Sequence, residues 1–209
     1  MKRNYSLENF EKMNIGVSTN KYDIPEILPI EYVSENIDFI PFNFAMSAKE
    51  KNKGVHFFIH DYQFERVWSN PDRYCEILSK FPYVLSPDFS LYSDMPLVMQ
   101  MWKHYQKQWM GSYMQSFGIN VIPTIAWSDE RSYEFCFLGC PKNSIVAVSS
   151  VGTQKNNEFK EGFLKGFNMM IEKLNPTTVL LFGKIPDNLP NKCKVIHYPH
   201  YMGEKFKKL

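Results

Sequence analysis

Short apolar runs recur along the chain, each closing in polar residues and most followed by a helix-like segment. The central one is Gly118-Ile119-Asn120-Val121-Ile122-Pro123-Thr124-Ile125-Ala126-Trp127-Ser128-Asp129, where an apolar run of strand length ends in an aromatic ring, a hydroxyl and a carboxylate. Bounded by turn residues, such a run fits a strand buried on both faces. Pro123 counts against an unbroken ladder, because proline has no N–H to donate. Strands alternating with helices imply parallel pairing through right-handed crossovers. The chain is therefore read as α/β, with about six mostly parallel strands. Two architectures fit: an incomplete (β/α) barrel or an open, doubly wound sheet. Polar residues at the end of every strand favour the barrel.

Taken in order, residues 1–53 read as an irregular lead-in packed on the core, because Pro25, Pro29 and Pro41 interrupt regular structure. Within it, Ser6 to Phe10 can open a short helix, and Phe39, Ile40, Phe42 and Phe44 look like a flap over the core. Residues 54–200 form a single α/β domain, followed by a basic tail over 201–209. The first strand is Val55 to His60, and Asn70-Pro71-Asp72 gives the cap, first-turn proline and acid of a helix. Tyr83 to Ser86 is the second strand. A long helix runs from about Pro96 to Phe117, capped by Ser93 or Asp94 and stopped by Gly118. Its Val98, Met101, Trp102, Tyr105, Trp109, Tyr113 and Phe117 make an apolar stripe read as core packing. Residues 131–141 are read as a short helix, with a strand as the alternative. Ile145 to Val148 is a strand, and Asn157 to Leu174 is an amphipathic helix with Phe159, Phe163, Phe167, Met170 and Leu174 buried. Gly162 and Gly166, one turn apart, allow that helix to approach the sheet. Thr178 to Phe182 and Lys194 to Tyr198 are the last strands.

Of the 209 residues, 22% are charged and 44% hydrophobic, with a net charge of +2, so composition does not call for nucleic acid. No recognition-helix pattern or basic stripe favours duplex DNA. No apolar run approaches the ~18–20 residues that span a bilayer, so no membrane is expected. Met1-Lys2-Arg3 leads into no apolar stretch, so no signal peptide is expected either. Cys75, Cys136, Cys140 and Cys193 contain no Cys-x-x-Cys pair and read as reduced thiols of a cytoplasmic protein, with a zinc site on Cys136 and Cys140 as the minor alternative.

In both architectures ligands bind beyond the carboxyl ends of the strands. The candidate residues are those at the ends: His60 and Asp61; Asp88 and Ser90; Trp127, Ser128 and Asp129; Ser149, Ser150, Gly152 and Thr153; Gly183 and Lys184; Tyr198 and His200. Asp61, Asp88 and Lys184 are the catalytic candidates. The two aspartates either cap the helices that follow, hold a divalent cation, or divide acid and base roles. Ser149 to Thr153 ahead of a helix offers N–H and hydroxyl groups to a phosphate without matching the P-loop pattern. Lys184 suits an anion, and Trp127 either stacks a ring or closes the barrel end. The signatures of serine hydrolases, zinc proteases and dinucleotide enzymes are missing.

Pro87-Asp88-Phe89-Ser90, Val121 to Trp127, Ser132 to Phe137, and Val146 to Ser149 with Gly152 resemble domain-of-unknown-function family 4417, over about residues 40–190. The resemblance implies a bacterial, phage or mobile-element setting and brings no activity or catalytic residue with it. Two functions are therefore expected. One is a rim pocket that binds or processes a nucleotide, a nucleic-acid end or another phosphorylated ligand. The other is a non-catalytic accessory protein that binds a host or defence protein.

Overall fold

A computed structural model of the chain describes residues 8–12 and 18–199. Ser6, Leu7, His200 and the basic tail lie outside the described residues. Four strands, β1 (Phe39–Pro41), β2 (Gly54–His56), β3 (Val84–Leu85) and β4 (Val121–Ile122), pair in chain order, every pair parallel. Three more, β5 (Ile145–Ser149), β6 (Thr178–Phe182) and β7 (Lys194–Tyr198), make a second parallel sheet. A parallel bridge between Thr124 and Ala147 links the two. A doubly wound sheet reverses its strand order. Here the order runs forward throughout, and no hydrogen-bonded ladder closes β7 onto β1 among the described residues. Side chains meet there instead: the Phe39 ring stands edge-on to Phe182 at 5.6 Å and to Tyr198 at 5.2 Å, and Tyr198 Oη donates to the Ile37 carbonyl at 3.1 Å. The fold is an incomplete α/β arrangement with no closed barrel.

The strand period of two sorts the core. Ile145, Ala147, Leu180 and Phe182 face inward with Phe39, Leu85 and Ile122. The alternate residues Val146, Val148, Val179 and Leu181 face outward onto Phe163, Phe167, Met170 and Leu174 of α5 (Asn157–Leu174). On the other half, Val55, Val84 and Val121 pack against α3 (Pro71–Leu78) and α4 (Leu97–Ser116), which supplies Trp109, Met110 and Met114. Two very short helices, α1 (Phe42–Ala45) and α2 (Arg66–Ser69), complete the set. Burial on both faces is why the strand sequences run apolar without alternation.

Several local expectations are corrected. The run from Val55 leaves the ladder after His56, because the Phe58 N–H turns to His56 Nδ1 and Ile59 N–H to the Phe57 carbonyl. Residues 131–141 hold only a 3-10 turn, Glu130–Glu134, capped by Asp129 and tied by Ser132 Oγ to the Asp129 carbonyl. Pro96 occupies the N-cap of α4, with no side-chain cap from Ser93 or Asp94. Asn70 stands at the N-cap of α3 without a side-chain bond. Phe159 is 50% exposed, and Gly166 makes room for Trp127, whose Nε1 would lie 2.0 Å from a Cβ there.

The largest correction concerns α4. Val98 is 72% and Trp102 41% exposed, whereas Gln100, His104, Lys107 and Gln108 are buried. The helix turns a polar face inward at i, i+4, i+7 and i+8. His104 Nε2 donates to the Leu138 carbonyl at 2.9 Å, leaving Nδ1 buried without a partner. Burial, aided by the charge of Lys107, lowers the imidazole from 6.5 to about 3. The unfolded chain therefore takes up this proton first, so stability falls as pH drops from 6.5 towards about 3. Urea titrations across that window should show His104→Gln losing less stability on acidification than the parent, by on the order of 4 kcal/mol. Equal acid limbs in the two proteins would contradict a neutral buried His104.

Candidate functional site

Because every strand runs the same way, the loops after β2, β3, β4 and β5 gather at one end of the sheet. The β3 loop carries Asp88 three residues beyond the last paired residue. Lys107 Nζ reaches Asp88 Oδ1 at 3.3 Å from α4, with the lysine side chain wholly buried and the carboxylate 22% exposed. Burial pushes the Asp88 carboxyl up, Lys107 pulls it back, and the charge of Asp61 adds to the rise. Beside it, Asp61 accepts Ser90 Oγ–H at 2.7 Å and Ser90 N–H at 3.2 Å, with Lys103 Nζ at 3.7 Å. Asp61 thus clasps the loop after β2 to the loop after β3. Two aspartates and two lysines compensate one another in this corner.

Asp88 opens on a cavity of about 70 Å³ that it shares with Trp127, Ser149 and Thr153, walled by Ile125, Val148 and Phe163. Trp127 is wedged against Gly166 and tilts on Phe163 at 5.4 Å. Ser149 Oγ accepts the Val151 N–H at 3.2 Å. Thr153 Oγ1 donates to the Ser150 carbonyl at 2.8 Å, which closes the turn over 150–153. The structure so brings together four of the residues expected at the rim.

The others stand apart from that cavity. Ser150 is buried and donates to the Phe182 and Lys184 carbonyls, so it ties β5 to the end of β6. Gly183, at φ +105°, leaves no space for a Cβ, which would sit 2.6 Å from Ser150 Oγ. Gly152 adopts φ +83° with open space around it. Lys184 is exposed at its side chain. His60 is exposed and stacks on Tyr62. Ser128 Oγ donates to Gln100 Oε1 at 2.6 Å, and Asp129 pairs with Arg131. Tyr198 lines the inner face of the sheet.

Sequence reasoning reads His104 as an ordinary partly buried histidine beside the apolar stripe and misses Gln100, Lys103 and Lys107. Their spacing on one helical face was the available signal, masked by the aromatic stripe alongside. Among the described residues, no group of three or more His, Cys, Asp or Glu side chains could hold a metal ion. All four cysteines are free, and burial raises the Cys75, Cys136 and Cys140 thiols to about 12. No helix among the described residues is long and apolar enough to cross a membrane. A larger cavity of about 530 Å³ lies at the opposite end, between Glu26, Tyr133, Cys140 and Lys173. Its Glu26 is engaged by Thr19 and its Glu134 by Lys21 and Tyr22.

The model of a family described as a domain of unknown function, DUF4417, matches residues 17–199. The Gene 1 protein of Mycobacterium phage L5 is 34% identical over 206 residues, covering 95% of this chain and 89% of that protein. The Gene 1 protein of Mycobacterium phage D29 is 33% identical over 210 residues, covering 96% of this chain and 76% of that protein. No solved structure matches the chain.

Removing one member of a buried ion pair leaves the other uncompensated. Lys107→Met should therefore destabilise the protein by about 3 kcal/mol, and the double variant Lys107→Met, Asp88→Leu should recover most of that loss. Additive losses in a denaturant double-mutant cycle would show that the two groups do not act as a pair.

Proposed function

This chain belongs to the DUF4417 family, whose matched relatives here are phage proteins, and we propose that its strand-end cavity binds or processes a nucleotide, a nucleic-acid end or another phosphorylated ligand. The observation that carries this reading is the meeting of Asp88, Trp127, Ser149 and Thr153 on one cavity, with the buried Lys107 behind the carboxylate. Polar groups converging at the carboxyl ends of parallel strands are where α/β folds place ligands. The turn over 150–153 supports a phosphate on the outer side. Gly152 is open there, and the bond from Ser150 Oγ to the Lys184 carbonyl holds that exposed lysine beside the turn. Asp88, with a carboxyl raised by burial, suits an acid–base role on a bound ligand.

A second reading, an accessory protein that binds a host or defence protein, is favoured by one feature. Tyr92, Val98, Met99 and Trp102 are exposed together on and just before the first turns of α4.

A thermal-shift screen against nucleotides, phosphosugars, short oligonucleotides and divalent metals separates the two. Binding to the native state at 100 times Kd adds about 2.7 kcal/mol, a rise of several degrees in Tm. A shift with phosphorylated compounds, reduced in Asp88→Asn or Lys184→Ala, is the expected result. A flat screen, together with a pulldown complex that Trp102→Ala abolishes, would move the assignment to protein binding.

A further inference from the structure

The polar groups around the cavity beyond β3, β4 and β5 have a definite hydrogen-bonding polarity. Lys107 engages Asp88 Oδ1, and among the described residues Oδ2 takes no protein hydrogen bond. Ser149 Oγ accepts the Val151 N–H, so its own O–H remains to be donated. Thr153 Oγ1 already donates to the Ser150 carbonyl and accepts from Gln154 Nε2 at 3.0 Å. The residues that line the cavity thus include one carboxylate with an acceptor to spare and one hydroxyl with a proton to donate, and no cationic side chain.

A phosphate is a poor complement to such a wall. It brings negative charge to a carboxylate and has only acceptors. An alcohol is a good one, because a hydroxyl donates one hydrogen bond and accepts another. Size agrees. The cavity, about 70 Å³, is small, which suits a hydroxyl group better than a bulky one. We propose that this cavity is a hydroxyl seat: an alcohol group of the ligand, such as a ribose hydroxyl, donates to Asp88 Oδ2 and accepts from Ser149 Oγ–H. The proposal rests on the strand-end cavity being the ligand site, and it assigns the phosphate to the outside of the cavity. A carboxylate that receives ribose hydroxyls is a recurrent solution in dinucleotide sites of other folds.

The test uses the full chain and titration calorimetry with AMP, GMP, CMP and UMP, their 2′,3′-dideoxy counterparts, ribose 5-phosphate and glycerol 3-phosphate. The ribonucleotides should bind with similar affinity whatever the base, and the dideoxy compounds at least ~10-fold more weakly, because removing the hydroxyl leaves Asp88 and Ser149 unpaired. Ser149→Ala should weaken the ribonucleotides and narrow the gap to the dideoxy series, while Ser149→Thr, which keeps the hydroxyl, should restore it. Ser149 Oγ donates no hydrogen bond among the described residues, so neither variant threatens folding as Asp88→Ala would. Equal binding of ribo and dideoxy compounds, or affinities that follow the base, would overturn the hydroxyl seat and leave nucleotide binding standing. Heatless titrations with every compound, the two phosphosugars included, would overturn the seat and the cavity reading together.

Discussion

Hydrogen bonds around Thr124 join the two sheets, and the position of the candidate site depends on them. Thr124 N–H donates to Ser86 Oγ and Thr124 Oγ1 to the Ser86 carbonyl, both at 2.8 Å and both buried. One residue to either side, the Ala147 N–H reaches the Pro123 carbonyl at 2.9 Å and the Ile125 N–H reaches the Ala147 carbonyl at 2.8 Å. The end of β3, the end of β4 and the middle of β5 are thereby fixed to one another. Pro123 fits because it stands where the chain stops pairing with β3 and swings to β5, so only its carbonyl is needed. Buried backbone groups must find partners. Here a serine and a threonine side chain provide them where the ladder gives out. Asp88 follows Ser86 by two residues and Trp127 follows Thr124 by three, so both inherit their positions from this junction.

The polar inner face of α4 is the other unusual feature. A fully buried lysine costs several kcal/mol in desolvation, which a single 3.3 Å contact with Asp88 does not offset in full. A hydrophobic residue at position 107 beside an apolar residue at 88 would serve stability at least as well. Where a chain keeps such a local conflict, the conflict belongs most often to function. Gln100 holds Ser128, Lys103 lies by Asp61 and Lys107 holds Asp88, so successive turns of one helix reach the loops after β4, β2 and β3.

Periodicity made much of the fold legible. The alternation of strand and helix predicts parallel pairing, and the helix expected over Asn157 to Leu174 is α5 with the same ends: Asn156 Oδ1 accepts the Phe159 N–H, and Asn175 takes φ +46° at the C-cap. Where the reading failed, a tertiary partner outweighed a local signal. The stripe of Met and Trp on α4 has the spacing of a core face, yet the loops after β2 and β3 present carboxylates to Lys103 and Lys107, and the Leu138 carbonyl meets His104. Gly162 and Gly166 are each followed by a phenylalanine, but only Gly166 meets a side chain, and that side chain comes from 39 positions away. Strand ends indicated Asp88, Trp127, Ser149 and Thr153, which the structure brings onto one cavity. They did not indicate Lys107, because a helix residue reaches the rim only by packing.

Trp127 decides what the cavity can accept. Its indole edge fills the notch that Gly166 leaves in α5, and Phe163 lies against the ring, with Phe137 at 6.5 Å. Held on these sides, the ring serves as wall more than as platform, and turning it to stack on a base would empty the notch at Gly166. Large-to-small changes in a packed wall leave voids that neighbours fill only in part. The narrowness of the cavity is therefore a property of the α5 packing, set by a glycine, and the proposed reading puts the bulk of the ligand outward, towards the 150–153 turn. Charge leads the same way: Asp61, Asp88, Lys103 and Lys107 cancel within the corner, so on the proposed reading hydrogen-bond polarity selects inside the cavity and net charge only at the exposed rim.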